Sequence, residues 1–307
     1  VSFEESKDYL EKLMGVSVSH RSIQTLVESV GKQIDKDEKR RVRRRLDSDG
    51  HLKKTPGKRR SKKKGVAYMQ MDGSMVQTRE EGWKEVKLGM LFRDVDNVRT
   101  DPHHKRILNK RYFAVFNARK NSLDAFKNRA TQEADAFGFQ SYENRVILAD
   151  GAKWIWDYVD IYHPGAVQIL DYYHASEYLG DTFKTLQFES ETEKETIKKI
   201  LFDHLWEGRT SSILSYLASC SPNEQIRKCV GYFKNNSHRM NYALYRSNGF
   251  TIGSGAIESA HRTVVQCRMK QSGMHWKKCH VQSIVSLRAK FLSGDWDNVV
   301  DSYLRAA

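Results

Sequence analysis

The sequence predicts an α/β protein: a mixed sheet carrying an all-helical insertion, preceded by a helical segment and a basic arm. Three observations predict it. Strand-length apolar runs alternate with helical periodicity from 66 to 173, no strand pattern occurs from 174 to 250, and a dense lysine and arginine run precedes the first strand.

Residues 1–34 read as two helices. Leu10, Leu13 and Met14 mark the first, which Gly15 ends; Ser19 caps the second, whose Ile23, Leu26, Val27 and Val30 fall at helical spacing. Helix, glycine turn, helix is the outline of a helix-turn-helix, shared with any structural or dimerising hairpin. Residues 35–65 read as an arm. Within it, 39–64 hold 14 Lys/Arg against 2 Asp, so +12 of the chain's net +14 sits there and the rest is nearly neutral. Such a segment cannot bury a core of its own, and its charge suits phosphates, with Arg43, Arg44, Lys58 and Arg59 as representative contacts.

Strand runs follow at 66–76, 84–93 and 111–117, then a helix at 122–137, a strand at 145–149, a helix near 152–162, and the short strand A-V-Q-I-L after Pro164-Gly165. Three strands, then helix, strand, helix, strand, is the order of a ribonuclease H-like core. The core would occupy 66–173, the all-α insertion 174–250, and the completing helices 251–307.

Composition narrows the function classes. A hydrophobic content of 39% supports a folded core, and no apolar run approaches the ~20 residues of a membrane span. The start of the chain lacks a signal-peptide pattern, so a cytoplasmic protein without membrane partners is expected. Cys220, Cys229, Cys267 and Cys279 form neither a disulfide framework nor a C-x-x-C zinc pattern, and no phosphate-binding glycine loop occurs.

Three acids carry the chemistry. Asp72 in Y-M-Q-M-D-G-S and Asp150 in V-I-L-A-D-G-A each follow an apolar run and precede a glycine, which places each at or near a strand end. Glu258 in G-S-G-A-I-E-S-A-H-R sits in the first turn of a helix, where a carboxylate complements the dipole. Adjacent carboxylates repel unless a cation neutralises them, and oxygen ligands suit Mg²⁺ or Mn²⁺. Two such ions make a phosphodiester-cleaving site. Each acid also has a plain reading: an Asp-Gly turn, or an ion pair of Glu258 with Arg262. Asp171 and His174 in L-D-Y-Y-H-A form an auxiliary pair, either near a scissile phosphate or fixing the insertion. After the Glu helix, Q-C-R-M-K-Q-S-G-M-H-W offers Arg268, Lys270, Gln271 and Trp276, with Arg262 just before them, as DNA contacts. Trp276 reads equally as the anchor of a tight turn.

The stretches D-G-S-M-V-Q-T-R-E-E-G-W-K-E-V-K-L-G, A-D-G-A-K-W-I-W-D-Y-V-D-I-Y-H-P-G-A-V-Q-I-L-D-Y-Y-H-A and G-S-G-A-I-E-S-A-H-R-T-V-V-Q-C-R-M-K-Q-S-G-M-H-W resemble DDE transposases of bacterial insertion sequences, most closely the ISKra-type family. The resemblance runs from about 66 to 293. It implies a ribonuclease H-like catalytic domain, Asp72, Asp150 and Glu258 as ligands of two Mg²⁺ or Mn²⁺ ions, and DNA strand cleavage and transfer by a homodimer or larger assembly at the bacterial nucleoid. A nuclease that never joins strands and a non-catalytic DNA-binding descendant are the rival classes.

Overall fold

A strand covered on both faces needs apolar residues without alternation, and Ala67, Tyr68, Met69 and Met71 are all buried. The computed structural model describes residues 2–47, 62–101, 105–117 and 121–306. It builds that run into β1 (Lys63–Thr78), which turns back onto β2 (Gly82–Arg93) with an unbroken antiparallel register from Ala67↔Arg93 to Thr78↔Gly82. β3 (Asn97–Arg99) and β4 (Lys105–Ile107) form a small separate pair that the sequence pattern does not announce. Asp96 organises its start, taking two bonds from Arg93 at 2.6 and 2.7 Å and one from Asn109 at 2.9 Å. β5 (Lys110–Phe116) pairs antiparallel with β2, while β6 (Tyr142–Ala149) and β7 (Val167–Leu170) pair in parallel. The result is a mixed five-stranded sheet in the order β5-β2-β1-β6-β7.

The chain divides into two compact units, Val1–Arg145 with Ile257–Ala307, and Val146–Ala256. In the first, α1 (Phe3–Met14) begins with a capping box between Ser2 and Glu5 and ends at Gly15, whose φ of 64° lies in the left-handed region. Ser19 caps α2 (His20–Arg43). This helix corrects the expected boundary between hairpin and arm, because residues 35–43 are helical. Bonds four residues apart support it, Gln33 to Asp37 at 3.1 Å and Lys39 to Asp35, and its Ile34 and Glu38 are buried. Arg43 and Arg44 are exposed at its end, while Lys58, Arg59 and the rest of 48–61 lie outside the described residues.

α2 packs on α12 (Lys278–Leu292), and α3 (Ser122–Phe137) packs on β5. Gly31 permits the first contact: a Cβ there would stand 2.1 Å from the backbone oxygen of Ser283. A buried charge network joins these elements. Arg129 of α3 meets Asp35 at 2.9 Å and Glu38 at 3.0 Å; Lys290 of α12 meets Glu133 at 2.9 Å and Glu38 at 3.3 Å; Arg111 of β5 meets Glu133 at 3.0 Å. The helical hairpin is therefore built into this unit through its second helix. α13 (Trp296–Leu304) closes the chain, returning Tyr303 to Ser29 of α2 at 3.2 Å.

The second unit begins in β6 and continues through α4 (Lys153–Tyr162) and β7. Five helices follow: α5 (Tyr172–Phe183), α6 (Glu191–Trp206), α7 (Thr210–Ser219), α8 (Glu224–Asn236) and α9 (Tyr242–Ser247). Leu179, Leu205, Leu217, Ile226, Phe233 and Tyr242 fill its core. Among the described residues no helix is long and apolar enough to cross a membrane.

The close seat of α2 gives a direct test. Gly31→Ala gains up to ~1 kcal/mol of helix propensity but forces α2 off α12, for a net loss of about 2 kcal/mol in urea unfolding. An unchanged midpoint contradicts this packing.

Candidate active site

In the first unit the site begins on β1. Period-two alternation puts Gln70 and Asp72 on one face of the strand. Buried Gln70 accepts the backbone N–H of Ile257 at 2.9 Å through its Oε1, docking the first turn of α10 (Gly255–Ala260) on that face. Glu258 is the next residue and is exposed. The structure thus brings the helix of Glu258 to the strand face of Asp72. It also corrects the strand-end expectation: Asp72 lies mid-strand, opposite Leu88, because the hairpin register continues past the Asp-Gly pair to Thr78. Asp72 is partly exposed, and its Oδ1 accepts the Gly73 N–H at 2.6 Å.

α10 runs into a π-helical turn, His261–Gln266. Arg288 of α12 donates to the carbonyls of Val264, at 2.8 Å, and Thr263, which supplies partners to backbone oxygens of the irregular turn. His261, at the start of that turn, is 3% exposed, and its Nε2 lies 3.5 Å from Asp72 Oδ2. Neither ring nitrogen has a hydrogen-bond partner. Burial pushes its pKa down to about 4, so the ring is neutral at pH 7 and leaves the Asp72 charge uncompensated.

The segment after the π-turn is fastened to the β1–β2 turn. Trp276 donates its N–H to Gln77 at 3.0 Å and accepts that of Arg79 at 2.9 Å, and Lys278 N–H reaches Glu80 at 3.0 Å. Two expected DNA contacts are used here for packing. The Arg268 guanidinium is buried between Phe3 and Trp276, 4.5 and 4.8 Å from their ring centres, and Trp276 is buried beneath it. Arg262, Lys270 and Gln271 are exposed.

In the second unit Asp150 follows β6 directly and accepts the Ala152 N–H at 3.0 Å, ahead of α4. The next residue must be small, since a Cβ on Gly151 would stand 2.3 Å from the Tyr232 ring. Tyr232 stacks on Tyr178 at 4.0 Å with planes 3° apart. Burial first, and then the Asp150 charge, hold the Tyr232 hydroxyl far above the usual range for a phenol.

Asp171 and His174 form the second constellation. Asp171 is fully buried and caps α5, accepting the N–H groups of Tyr173 at 3.4 Å and His174 at 3.1 Å. It also accepts the N–H and hydroxyl of Ser254 at 2.9 and 3.0 Å, and lies 2.5 Å from His174 Nδ1. Burial opposes its ionisation, but the bond and charge of His174 outweigh that and hold its pKa below the ordinary value. The same hydrogen bond raises His174 to about 9, so the imidazole is charged at neutral pH.

Among the described residues no group of three or more His, Cys, Asp and Glu forms a ready-made metal cluster. Gln70, His261, Ser254 and Tyr232 escaped the sequence reading. Only Gln70 left a signal there, as a polar residue two positions before Asp72 inside an apolar strand.

No family model matches the chain. A curated Streptococcus gallolyticus protein, described as the UPF0236 protein in vanSb 3'region, is 26% identical over 300 residues, covering 94% of this chain and 59% of that relative. The chain thus spans less than two thirds of that protein's length. Among solved structures, the Drosophila P element transposase strand transfer complex is similar over 98% of this chain and 84% of its own, at 12% identity and a TM-score of 0.26, too loose a likeness to assign a fold.

The Asp171–His174 pair makes folding depend on pH. Its contribution through the raised His174 pKa is complete below about 6.5 and is lost as pH climbs through about 9. In Asp171→Asn, NMR titration should find His174 moved down toward 6.5. The stability gap between wild type and variant should narrow across that window. Identical titration in both proteins contradicts the pairing.

Proposed function

We propose that this chain is a metal-dependent DNA transposase with a ribonuclease H-like core. The observation that carries the reading is the docking of the Glu258 helix, by Gln70, on the strand face of Asp72. The strand order β5-β2-β1-β6-β7 and the Asp150 that follows β6 support it.

The donor chemistry fits hard divalent cations. Asp72, Asp150 and Glu258 offer carboxylate oxygens, none of the three is buried, and the neutral His261 does not neutralise Asp72. When bound, two Mg²⁺ or Mn²⁺ ions supply activation of a water or DNA 3′-hydroxyl and stabilisation of the leaving oxygen. The chain's part is to hold and orient. Asp72 and Glu258 contribute from the first unit, Asp150 from the second, and the His174 imidazolium, fixed by Asp171, supplies a positive charge for a phosphate.

Exposed Arg43, Arg44, Arg262, Lys270 and Gln271 are the phosphate and base contacts of the proposal. Lys58 and Arg59 belong to the same basic segment and add sequence-independent affinity. Because Arg268 and Trp276 are buried, they support the loop that presents Lys270 and Gln271. Joining two DNA ends requires two active sites, so the working form is a homodimer or larger assembly on DNA.

Calorimetric titration of Mn²⁺ into the DNA-bound chain tests the carboxylate assignment. Asp150→Asn should abolish binding and reduce strand cleavage by at least ~10³-fold, while equal binding in both proteins refutes it. A strand-transfer assay then separates the classes: joined products are expected, and hydrolysis without joining assigns a nuclease instead.

A further inference from the structure

The π-turn after Glu258 places a histidine that neither the fold nor the proposed chemistry has yet used. His261 is 3% exposed, and both of its ring nitrogens lack a hydrogen-bond partner. Burying an unsatisfied polar group of this kind carries a free-energy cost, and an apolar residue of similar size would avoid it. Its Nε2 is directed at Asp72 Oδ2 from 3.5 Å, about half an ångström beyond a normal N–H···O bond, and a small rotation of either side chain closes that gap.

The other carboxylate oxygen of Asp72 is already engaged by the Gly73 N–H at 2.6 Å. One donor on each oxygen would fix the plane of the carboxylate and leave its remaining lone pairs open to a cation. The π-turn suits this task. Its extra residue per turn changes the direction in which side chains leave the helix, so His261 can face β1 while α10 is docked by Gln70. Arg288 holds that turn from α12 through its bonds to Val264 and Thr263.

We infer that His261 is a positioning residue for Asp72: its Nε2–H donates to Asp72 Oδ2 and orients the carboxylate for a divalent cation. The inference rests on the metal-dependent reading above, and Mn²⁺ binding by the wild-type chain tests that reading separately.

Two variants separate orientation from packing. His261→Phe keeps the ring volume and removes the donor, whereas His261→Gln places an amide N–H near the former Nε2. With duplex DNA present, Mn²⁺ titration should show His261→Phe weakened by roughly 10- to 100-fold and His261→Gln within about threefold of wild type. In an Asp72→Asn background, His261→Phe should weaken Mn²⁺ binding no further.

Thermal unfolding without metal confirms that each variant is folded. A folded His261→Phe protein that binds Mn²⁺ as wild type does overturns the inference, as does a folded His261→Gln protein as weak as the Phe variant. If the wild-type chain itself binds no Mn²⁺, the metal-dependent reading falls and this inference falls with it.

Discussion

The buried charges shared by α2, α3, α12 and β5 are the constraint on which the first unit depends. Lys290 and Arg129 are nearly inaccessible to water, so each must keep its carboxylate partners, and losing one would strand a charge at a cost of roughly 3–5 kcal/mol. Such a network contributes less to net stability than an apolar cluster of equal volume. It does select one arrangement, because Glu38 can meet Arg129 and Lys290 together only when α2 lies in one register along α12. The same α12 carries Arg288, which supports the π-turn of His261. The order of dependence runs from buried charge, to helix position, to the surroundings of Asp72.

The second unit meets a similar need with a single side chain. Asp171 collects donors from the start of α5, from the His174 ring and from Ser254, and thereby joins the helix that follows β7 to the segment leading into α10. Its negative charge is used in holding the backbone and in keeping His174 protonated. Asp150 makes a lighter local bond to Ala152, at the start of α4, and is partly accessible. Two aspartates close in sequence thus have different tasks: one is enclosed by donors, and the other remains open to solvent.

Local pattern made several features legible in the sequence. The apolar run 145–149 with its terminal Asp150, the caps at Gly15 and Ser19, and the helical stretch after β7 all follow from neighbouring residues. The misses share a different cause. Helix α2 extends to Arg43 because Glu38 meets Arg129 and Lys290, partners supplied from distant parts of the chain. Arg268 and Trp276 read as surface groups until Phe3 and the carbonyl of Gln77 are seen beside them. Asp72 looked terminal because Asp-Gly commonly marks a turn, whereas the register with β2 carries the strand onward. A π-turn has no compositional signature at all.

That turn sets the chain's tolerance to length changes. A π-turn amounts to one extra residue accommodated within an α-helix, so deleting any single residue from 261–266 would let the segment relax to regular α geometry. Everything after the deletion would then rotate by ~100° about the helix axis relative to Glu258. Trp276 would leave its bridge to Thr78, and Arg268 would lose its place between two rings. Substitutions in this stretch act one side chain at a time, but a one-codon deletion would uncouple the acid from the loop beyond it. Natural variation here should therefore change residue type far more readily than residue number.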